Sequence, residues 1–448
     1  MKNPAICPPA LVALGLLLGL TGCATVSPVA EAPLPPGIDV SGAASVHPAL
    51  PNIPGRTFSL ADFGGVGDGV ADNTGAFRKA IAAVKEAGGG KLVVPAGIYQ
   101  VQPFSLCSNL DFHLEAGAVI KAPATFTAAG LPEPETLHSA AEVKARVKTP
   151  PPLITAENVH DLALTGTGTI DGNGAHWWAW SERAARASPG RIQYPRPNLV
   201  FITGCHRLHV ADLTLTNSSR YHLLIRDVID LTIERVKVRA PFNAPNTDAI
   251  DIGPGTNFLV RDCDVDTGDD DICVKGGGND VLIENNTIRH GHGISIGSGT
   301  INGIDDMLVR HCTFDGTDYG IRIKSERGLG GLVRNVRYTD IRMKNVGYAI
   351  TIYADYSDSN RPNFKGDPSL VPSYHDILID HVTVEGAKAA GRIAGLPESR
   401  ITGITFRDVK ISADKDFVIK DADHPTFERV TVEVRPPAPA APAPGRQG

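Results

Sequence analysis

One short pattern recurs along the second half of the chain: two or three apolar residues, two polar residues, then an alternating apolar and polar pair. Its copies are LTIERVKV (231–238), FLVRDCDV (258–265), VLIENNTI (281–288), MLVRHCTF (307–314), ILIDHVTV (377–384), ITFRDVKI (404–411) and PTFERVTV (425–432). Successive copies among the first four lie 27, 23 and 26 residues apart. A repeat at this period is typical of a solenoid, in which each turn of chain stacks on the previous one.

A second set of short segments lies between these copies: AIDI (249–252), ICVK (272–275), GISIG (293–297) and GIRIK (320–324). Ile or Val alternates with other residues at period two, which indicates half-buried strands. The 47 glycines and 34 prolines of the 448-residue chain supply many turns, with almost no helical pattern between the strands. The sequence therefore predicts an all-β, single-domain, right-handed parallel β-helix. An up-and-down sandwich, the alternative, would not keep one pattern at one spacing.

The N-terminus differs from the repeats. Residues 1–22 contain Lys2, an apolar run from Leu11 to Leu20 and small residues before Cys23, as a signal peptide does, and the run is too short for a permanent membrane span. LTGC (20–23) resembles the lipobox of bacterial lipoprotein signal peptides. This resemblance implies cleavage before Cys23, acylation of its thiol and, because Ala24 follows, an outer-membrane location. An ordinary signal peptide with an incidental cysteine is the alternative, and both interpretations export the protein.

Composition sets the remaining boundaries. Residues 23–54 are rich in Pro, Ala, Val and Gly and predict a tether, residues 55–435 form the folded domain, and residues 436–448 predict a disordered Pro/Ala tail. The cysteines beyond Cys23 lack CxxC or Cys/His metal spacing, so we expect mostly buried thiols, with one disulfide able to form after export. These cysteines are Cys107, Cys205, Cys263, Cys273 and Cys312. The chain carries a net charge of −6, and we expect no nucleic-acid partner. We also expect a monomer.

The second set of strands should bring distant polar residues into one row. Ile250, Ile272 and Ile294 lie 22 residues apart, and Ile321 follows after 27. Neighbouring parallel strands are about 5 Å apart, so residues at the same offset should stack on successive coils. The residues two positions before each isoleucine are, in order, Asp248, Asp270, His292 and Tyr319.

Three carboxyls, those of Asp248, Asp269 and Asp270, should therefore share one face with the outward-pointing Arg322 and Lys324. Taken singly, each Asp could be a turn residue and each cation could be solvated. However, clustered like charges repel, so that one pKa rises while another group stays ionised, at a cost in stability. Carboxyls with separated pKa values are what glycoside hydrolysis requires: one protonated acid for the leaving oxygen and an ionised partner for water or the sugar.

Four segments carry a resemblance to a known family. NTDAIDI (246–252), TGDDDICVK (267–275), GHGISIGS (291–298) and GIRIKS (320–325) resemble, in order and spacing, the four signatures of the polygalacturonase family of glycoside hydrolases, family 28. Upstream, DFGGVGDGVADNTGAFRKAIAAV, GGGKLVVPAGIY and GTGTIDGNGAHWW are similar to the early coils of the same family. The match runs from about residue 60 to at least 356.

The resemblance implies an inverting hydrolase of α-1,4-linked galacturonate chains that needs no metal or cofactor. By motif, Asp269 is the general acid, and Asp248 and Asp270 hold and deprotonate the attacking water. An inverting pair needs about 6.5–9.5 Å between its carboxyls to admit that water. His292 would support the acid, and Asn246 would orient Asp248.

The same resemblance implies how the substrate is held. Arg322 and Lys324 would bind a substrate carboxylate, which supplies local positive charge on an acidic protein. Tyr356 falls where the family has a substrate-contacting tyrosine, although Tyr353 is an equal candidate. The expected partner is therefore polygalacturonate, together with the outer membrane through the lipid on Cys23.

Some positions depart from the family pattern or allow other interpretations. Asp271 stands where the family often has Cys and is interpreted as a turn residue or a modifier of the field, and Ala249 replaces a Gly. Trp177 and Trp178 could form a sugar platform or pack in a core. Residues 124–143 and 355–373 could close the groove at one end and so decide between internal and terminal cleavage.

Three other functions remain open from the sequence. A rhamnogalacturonan hydrolase of the same family would keep the carboxyls and lose the basic contacts. A pectate lyase would share the β-helix but need a calcium cluster and a basic proton abstractor. A surface β-helix that only binds glycans would explain the fold and the anchor, but not the stacked carboxyls.

Overall fold

The protein is described here by a computed structural model that covers residues 33–188, 190–356 and 367–436. The predicted signal peptide, Cys23 and nearly all of the predicted C-terminal tail lie outside the described residues. Within these residues, thirty-two strands pair in parallel in one continuous hydrogen-bonded set. The predicted class, an all-β right-handed parallel β-helix, is confirmed.

The strands are short and follow one another at regular intervals. In the first half they are β1 (Thr57–Ser59), β2 (Asp68–Asp72), β3 (Gly90–Val94), β4 (Gly97–Gln100), β5 (Phe104–Ser105), β6 (Leu110–Leu114), β7 (Ala118–Lys121), β8 (Ile154–Gly166), β9 (Thr169–Asp171), β10 (Val200–Ala211), β11 (Thr214–Thr216), β12 (Leu223–Glu234) and β13 (Lys237–Arg239). In the second half they are β14 (Ile250–Ile252), β15 (Gly255–Arg261), β16 (Asp264–Thr267), β17 (Ile272–Val274), β18 (Gly278–Glu284), β19 (Thr287–His290), β20 (Ile294–Ile296), β21 (Ile304–Arg310), β22 (Thr313–Asp315), β23 (Tyr319–Lys324), β24 (Leu332–Lys344), β25 (Tyr348–Tyr353), β26 (Ser373–Tyr374), β27 (Ile377–Ala387), β28 (Ala389–Ala394), β29 (Ile404–Ala413), β30 (Phe417–Lys420), β31 (Thr426–Glu428) and β32 (Thr431–Val434).

The strands stack in three ladders, two of which carry the repeats found in the sequence. The site ladder runs from the start of β12 through β14, β17, β20, β23, β25, β28 and β30. The back ladder runs from the end of β12 through β15, β18, β21, β24, β27, β29 and β31. Ile250, Ile272, Ile294 and Ile321 pair in that order, which confirms the predicted register.

At the corners of the coils, where the chain changes direction, residues adopt the left-handed backbone conformation. Asn257, Asp280, Asp306 and Asn335 occupy one corner of successive coils, with φ between 51° and 61°. Asn and Asp tolerate this conformation better than other non-glycine residues because their short polar side chains can bond locally. These Asn and Asp residues, three of which stand directly before a copy of the sequence repeat, are therefore corner residues.

Helices are few among the described residues and lie outside the coils. They are α1 (Ser41–Ala44), α2 (Thr74–Glu86), α3 (Ala140–Arg146), α4 (Ala175–Trp178) and α5 (Glu182–Ala187), with 3-10 turns at Leu60–Phe63 and Pro134–Thr136. Helix α2 was not predicted. It buries Phe77, Ala80, Ile81 and Val84, spaced as one helical face, against the first coil, where the Phe77 ring stacks 5.0 Å from that of Phe104. The helix thereby covers the N-terminal end of the core.

Residues 35–54, which we call the strap, differ from the predicted tether because they are attached to the coils. The backbone N–H groups of Gly42 and Ala43 donate to Asp306 at 2.8 and 2.9 Å. Ala43 and Val46 cover an outward row of leucines on the back ladder: Leu259, Leu282 and Leu308. A side chain at Gly42 would collide with the carboxylates of Asp280 and Asp306, so the close approach requires glycine.

A second small core lies beside the coils, in residues 124–147, 174–188 and 190–194, which we call the arm. Its buried members are Phe126, Leu137, Val143, Val147, Trp177 and Tyr194. The suggested insert 124–143 is thus packed, and Trp177 is a core residue and not a sugar platform. Trp178 donates its indole N–H to the Ser218 carbonyl at 3.0 Å.

The remaining sequence expectations concern thiols and membranes. All five cysteines beyond Cys23 are buried and free, so the suggested disulfide is not formed. Among the described residues, none of the helices is both long enough and apolar enough to cross a bilayer.

Candidate active site

A cavity of about 530 Å³ opens on the outer side of the site ladder. All eight residues proposed from the sequence for catalysis or substrate contact line it: Asn246, Asp248, Asp269, Asp270, His292, Arg322, Lys324 and Tyr356. Residues that span more than 100 positions of chain therefore meet in one place. The convergence follows from the register, since each coil places its outward side chains above those of the previous coil.

Asp270 is held by two cations from two coils further along. Lys324 Nζ lies 2.7 Å from its Oδ2, and Arg322 Nη1 lies 3.1 Å from its Oδ1. The Ser295 hydroxyl donates to Oδ1 at 2.9 Å. Burial alone would raise the pKa of Asp270, but the ammonium of Lys324 and the guanidinium of Arg322 hold it well below its ordinary value. Asp270 is therefore an ionised carboxylate.

Asp248 has a different environment although it is equally buried. Lys275 Nζ donates to its Oδ2 at 2.7 Å, whereas Oδ1 has no hydrogen-bond partner among the described residues. Burial raises the pKa of Asp248 well above its ordinary value, against the pull of Lys275, and Asp269 and Asp251 add to the rise. Asp248 therefore holds a proton more readily than Asp270 does.

Asp269 is the most exposed of the three carboxyls, with 13% of its side chain accessible against 3–4% for the other two. His292 Nδ1 lies 2.9 Å from its Oδ1, and the Asp270 N–H donates to the same oxygen at 3.0 Å. Burial raises the pKa of Asp269, but His292 outweighs it and lowers the pKa to about 2. The predicted separation of pKa values is present, although the raised value falls on Asp248 and not on the proposed acid.

Asn246 lies elsewhere in the network than expected. Its Nδ2 donates to Asp269 Oδ2 at 3.4 Å, and its Oδ1 accepts from the buried Arg196 at 2.7 Å. The expectation that Asn246 orients Asp248 is therefore wrong in this structure, where its amide contacts Asp269.

A glycine-flanked turn places His292. Gly293 has φ of 70°, and a side chain there would collide with the Tyr319 carbonyl on the next coil. The buried Asp271 accepts from the Gly293 N–H at 2.8 Å and from the Thr267 hydroxyl at 3.1 Å. Asp271 thus bonds the turn that carries His292, in agreement with its interpretation as a turn residue.

Arg322 and Lys324 point outward as predicted, but both are only 4% exposed. Arg322 Nε and Nη2 donate to the Tyr353 hydroxyl at 3.2 and 3.1 Å, and its guanidinium lies over the Tyr319 ring at 4.1 Å. Between the two tyrosine candidates, Tyr356 lines the cavity and Tyr353 lies behind Arg322. Both cations are therefore internal partners of Asp270 as well as residues of the cavity wall.

Sequence reasoning missed two charged residues of this cluster, Lys275 and Asp251. The signal was present, because Lys275 stands three positions after Ile272 as Lys324 stands three after Ile321, and Asp251 stands one after Ile250 as Arg322 does after Ile321. Arg183 of α5 was also missed, since it comes from the arm and reaches to 3.7 Å from Asp269 Oδ2. Its position depends on the arm core and follows no repeat.

Three groups are close enough to bind one metal ion. Ligand atoms of Asp269, Asp270 and His292 lie within 4.8 Å of one another. However, both Asp270 oxygens already accept from Lys324, and one also accepts from Arg322. A cation is thus already supplied by the protein where a metal would bind, which does not suit a metal site.

A parallel β-helix whose cavity holds several buried carboxyls with pKa values shifted in different directions has the groups that glycoside hydrolysis requires. The sequence profile of Glycosyl hydrolases family 28 matches residues 88–427, and the chain belongs to this family. A probable polygalacturonase from Vitis vinifera is 30% identical over 370 residues, which span 79% of this chain and 74% of the relative. The chain is a glycoside hydrolase.

Solved structures agree on the fold. The polygalacturonase from Erwinia carotovora ssp. carotovora superposes with a TM-score of 0.68 at 25% identity, covering 85% of this chain and 99% of that one. An exopolygalacturonase from Thermotoga maritima gives 0.72 at 24% identity, covering 86% of this chain and 94% of that one. The second likeness supports the β-helix fold alone.

Proposed function

We propose that this protein hydrolyses α-1,4 bonds between galacturonate residues of polygalacturonate, with inversion at the anomeric carbon. One observation carries the proposal: three carboxyls of a single cavity are given different charge states by different partners. Asp270 contacts two cations, Lys324 and Arg322, and Asp248 contacts one, Lys275. Asp269 faces the cavity beside His292. Membership of family 28 and the polygalacturonase relatives support the substrate.

Asp248 and Asp270 are proposed to hold the attacking water. Asp248 Oδ1 is buried and has no hydrogen-bond partner among the described residues. A buried acceptor of this kind is satisfied when a water donates to it. Asp270 lies on the neighbouring coil, fixed by Lys324 and Arg322. A water between the two carboxylates would be oriented and would lose its proton as it attacks.

Asp269 is proposed as the group that protonates the leaving oxygen. It is the most accessible carboxyl, and His292 Nδ1 lies 2.9 Å from its Oδ1. As negative charge develops on the leaving oxygen, the protonated form of Asp269 would donate its proton to that oxygen. Asn246 and the Asp270 N–H, which both donate to the Asp269 carboxylate, fix its direction.

Arg322 and Lys324 are proposed to bind the carboxylate of the galacturonate beside the cleaved bond. Three of the five N–H groups of Arg322 are engaged by Tyr353 and Asp270, which leaves donors for a second carboxylate. Tyr356 borders the same cations, with its ring 5.6 Å from Lys324 Nζ. Neutral rhamnose at this position would leave buried cations without a new partner, which favours galacturonate over rhamnogalacturonan.

We also propose that the protein is exported and acts as a monomer attached to the outer membrane through an acylated Cys23. The LTGC sequence at residues 20–23 supports the anchor, and a polymeric substrate supports export, because such a chain is cut outside the cell. Palmitate labelling of the wild type and of Cys23→Ala tests the anchor. Label in both proteins, or in neither, would contradict it.

The test of function is reducing-sugar release from de-esterified polygalacturonate by the protein from residue 24, with EDTA present and Asp269→Asn as control. We expect release by the wild type only. Mixed oligomers from the start would show internal cleavage, and single sugars would show terminal cleavage. Activity on rhamnogalacturonan alone, or only after calcium is added, would contradict the proposal.

A further inference from the structure

We propose that Lys275 and Asp251 are positioning residues that act on the charge of Asp248: the ammonium of Lys275 favours the ionised form of Asp248, and Asp251 competes for the same ammonium. This inference rests on the proposed function, because it assumes that Asp248 must be ionised to accept a proton from water. Neither residue belongs to the groups to which a catalytic role is given above.

Lys275 lies among three carboxyls. Its Nζ is 2.7 Å from Asp248 Oδ2, 2.7 Å from Asp251 Oδ2 and 3.9 Å from Asp270 Oδ2. Its ammonium also lies 4.7 Å from the centre of the Tyr221 ring. The ammonium is therefore held in one position by groups on two sides, and it is the cation nearest to Asp248.

Asp251 is held deep beneath the site. It sits in β14 between Ile250 and Ile252, whose side chains belong to the core, and is 1% exposed. Its Oδ2 accepts from Lys275, and its Oδ1 has no hydrogen-bond partner among the described residues. Asp251 does not line the cavity. It can therefore act on the reaction through Lys275 and Asp248, but not by touching the substrate.

The two carboxyls compete because the cluster has fewer fixed cations than carboxyls. Four carboxyls, those of Asp248, Asp251, Asp269 and Asp270, lie near three fixed cations, those of Lys275, Arg322 and Lys324, while the half-exposed Arg183 reaches Asp269 from the arm. Lys324 and Arg322 are committed to Asp270, so Lys275 alone serves both Asp248 and Asp251. Burial raises the pKa of Asp251 to about 6 despite this contact. Whichever of the two carboxyls is ionised makes ionisation of the other harder.

The groups that face Asp248 come from its own coil, from neighbouring coils and from the segment just after the arm. Arg196 and Tyr221 act on it at longer range, and the buried His222 contacts only its backbone carbonyl, at 3.2 Å. The charged groups close to its side chain are Lys275, Asp251, Asp269 and Asp270. Lys275 favours the ionised form of Asp248 and the three carboxyls oppose it, Asp269 more strongly than Asp251. Asp251 is the carboxyl that shares the ammonium of Lys275 with Asp248, at 2.7 Å from each.

Removing each residue should shift the pH profile in opposite directions. The acidic limb of kcat/KM reports the pKa of the base that must be ionised. Without the positive charge of Lys275 the pKa of Asp248 rises, so Lys275→Met should move this limb upward by about 1–3 pH units. Without the negative charge of Asp251, Lys275 serves Asp248 alone, and Asp251→Asn should move the limb downward by about 1 unit. Lys275→Arg, which keeps the charge, should stay near the wild type.

The experiment is kcat/KM against pH on polygalacturonate for the wild type, these three variants and Asp380→Asn. Asp380 is a matched control, being a fully buried carboxylate between Arg337 and Arg407 on the back ladder, and its loss should leave the limb in place. Shifts of opposite sign for Lys275→Met and Asp251→Asn support the proposal. Equal profiles, or shifts in the same direction, overturn it. If Lys275→Met does not fold, a downward shift for Asp251→Asn with an unshifted limb for Lys275→Arg supports the proposal, and an unshifted limb for Asp251→Asn overturns it. An inactive wild type would instead refute the proposed function.

Discussion

The same coils carry charged residues on two ladders, and the two ladders are arranged by opposite rules. On the back ladder the charges alternate in sign from coil to coil. The paired residues are, in order, Glu234, Arg261, Glu284 and Arg310. On the site ladder and the turns before it, Asp248 and Asp270 lie on neighbouring coils with Asp269 beside them. In both ladders the backbone stacks equivalent positions on successive coils. The difference in charge pattern therefore comes from which residues occupy those positions.

The back ladder is explained by its own contacts. Arg261 lies 2.6 Å from Glu234, and Arg310 lies 2.7 Å from Glu284. Each charge therefore has an opposite charge one coil away. In the site, by contrast, Asp270 is neutralised by residues two coils away. A row of like charges that needs distant cations does not arise from the demands of stability, which is why it indicates a functional site.

We expect the largest effect from a substitution of Asp269, the most exposed carboxyl of the site. Asp269→Asn keeps the shape of the side chain but cannot deliver a proton, so kcat on polygalacturonate should fall by about 10²- to 10⁴-fold. Because Asp269 is partly exposed and carries no core contact, the unfolding midpoint should stay close to that of the wild type. Kinetics and thermal unfolding measured on one preparation check both points. Loss of folding would make Asp269 a turn residue, and retained activity would remove it from the mechanism.

The second prediction concerns a cation of the site. Lys324→Met leaves Asp270 buried with Arg322 as its main partner, and breaking a buried ion pair from one side costs about 3 kcal/mol or more. We therefore expect a lower free energy of unfolding together with a higher KM for polygalacturonate, and not the change in KM alone that a solvated lysine would give.

Lys344→Met is the matched control for this change. Lys344 is an exposed lysine, 62% accessible and 3.7 Å from Glu385, and its replacement should alter neither quantity. Denaturant unfolding and kinetics of the two variants make the comparison. Equal stability of both would place Lys324 among the solvated residues and contradict the account.

The third prediction is that carboxyls on the two ladders make stability depend on pH in opposite directions. Burial would raise the pKa of Glu234, but contacts with Arg235 and Arg261 lower it to about 2. A depressed folded pKa adds stability above the unfolded value near 4.5, and that stability is lost as the pH falls towards 2. Burial raises the pKa of Asp251 from 3.8 to about 6, so here stability is lost as the pH rises between these values.

Unfolding midpoints from about pH 3 to pH 8 test this difference. The difference in unfolding midpoint between the wild type and Glu234→Gln should become smaller as the pH falls below about 4.5. The unfolding midpoint of Asp251→Asn should rise relative to that of the wild type as the pH rises towards 6. Curves that stay parallel to the wild type would mean that these carboxyls do not titrate differently on folding.

The smallest effect is expected on the back ladder. Glu284→Gln removes one charge from the alternating row, and because partly exposed ion pairs contribute little, the free energy of unfolding should fall by about 0.5–1 kcal/mol. Activity should be unchanged, since Glu284 lies on another side of the coil from the cavity. Chemical denaturation and kcat measure the two quantities. A loss of activity without a loss of stability would show that the back ladder affects the site, and would contradict the distinction between a structural and a functional ladder.

The sequence predicted what depends on periodicity and missed what does not. The spacing of Ile250, Ile272, Ile294 and Ile321 was sufficient to bring the carboxyls, His292 and the cations together, because a solenoid converts equal spacing into contact. Lys275 and Asp251 followed the same rule and lie within the segments TGDDDICVK and NTDAIDI, but they were overlooked because the family resemblance gave them no role. The attachment of the strap could not be predicted, since it depends on Gly42 fitting against Asp306 across a sequence separation of 264 residues.

Other differences arose from side-chain geometry. Asn246 lies between Arg196 and Asp269, and only the folded path of the segment just after the arm brings Arg196 to it. The burial of Arg322 and Lys324 could not be read from alternation, which gives the side of a strand but not what covers it. Motifs therefore predicted which residues meet, while their charge states required the contacts.

The central claim is that the stacked carboxyls cleave by a single inverting displacement. Proton NMR of the first turnovers on a short galacturonate oligomer tests it directly, because the α and β anomers of the new reducing end give separate signals. The account predicts the β anomer first, with the α anomer growing in later by mutarotation. Initial formation of the α anomer would show retention, and would contradict the assignment of Asp248 and Asp270 to water.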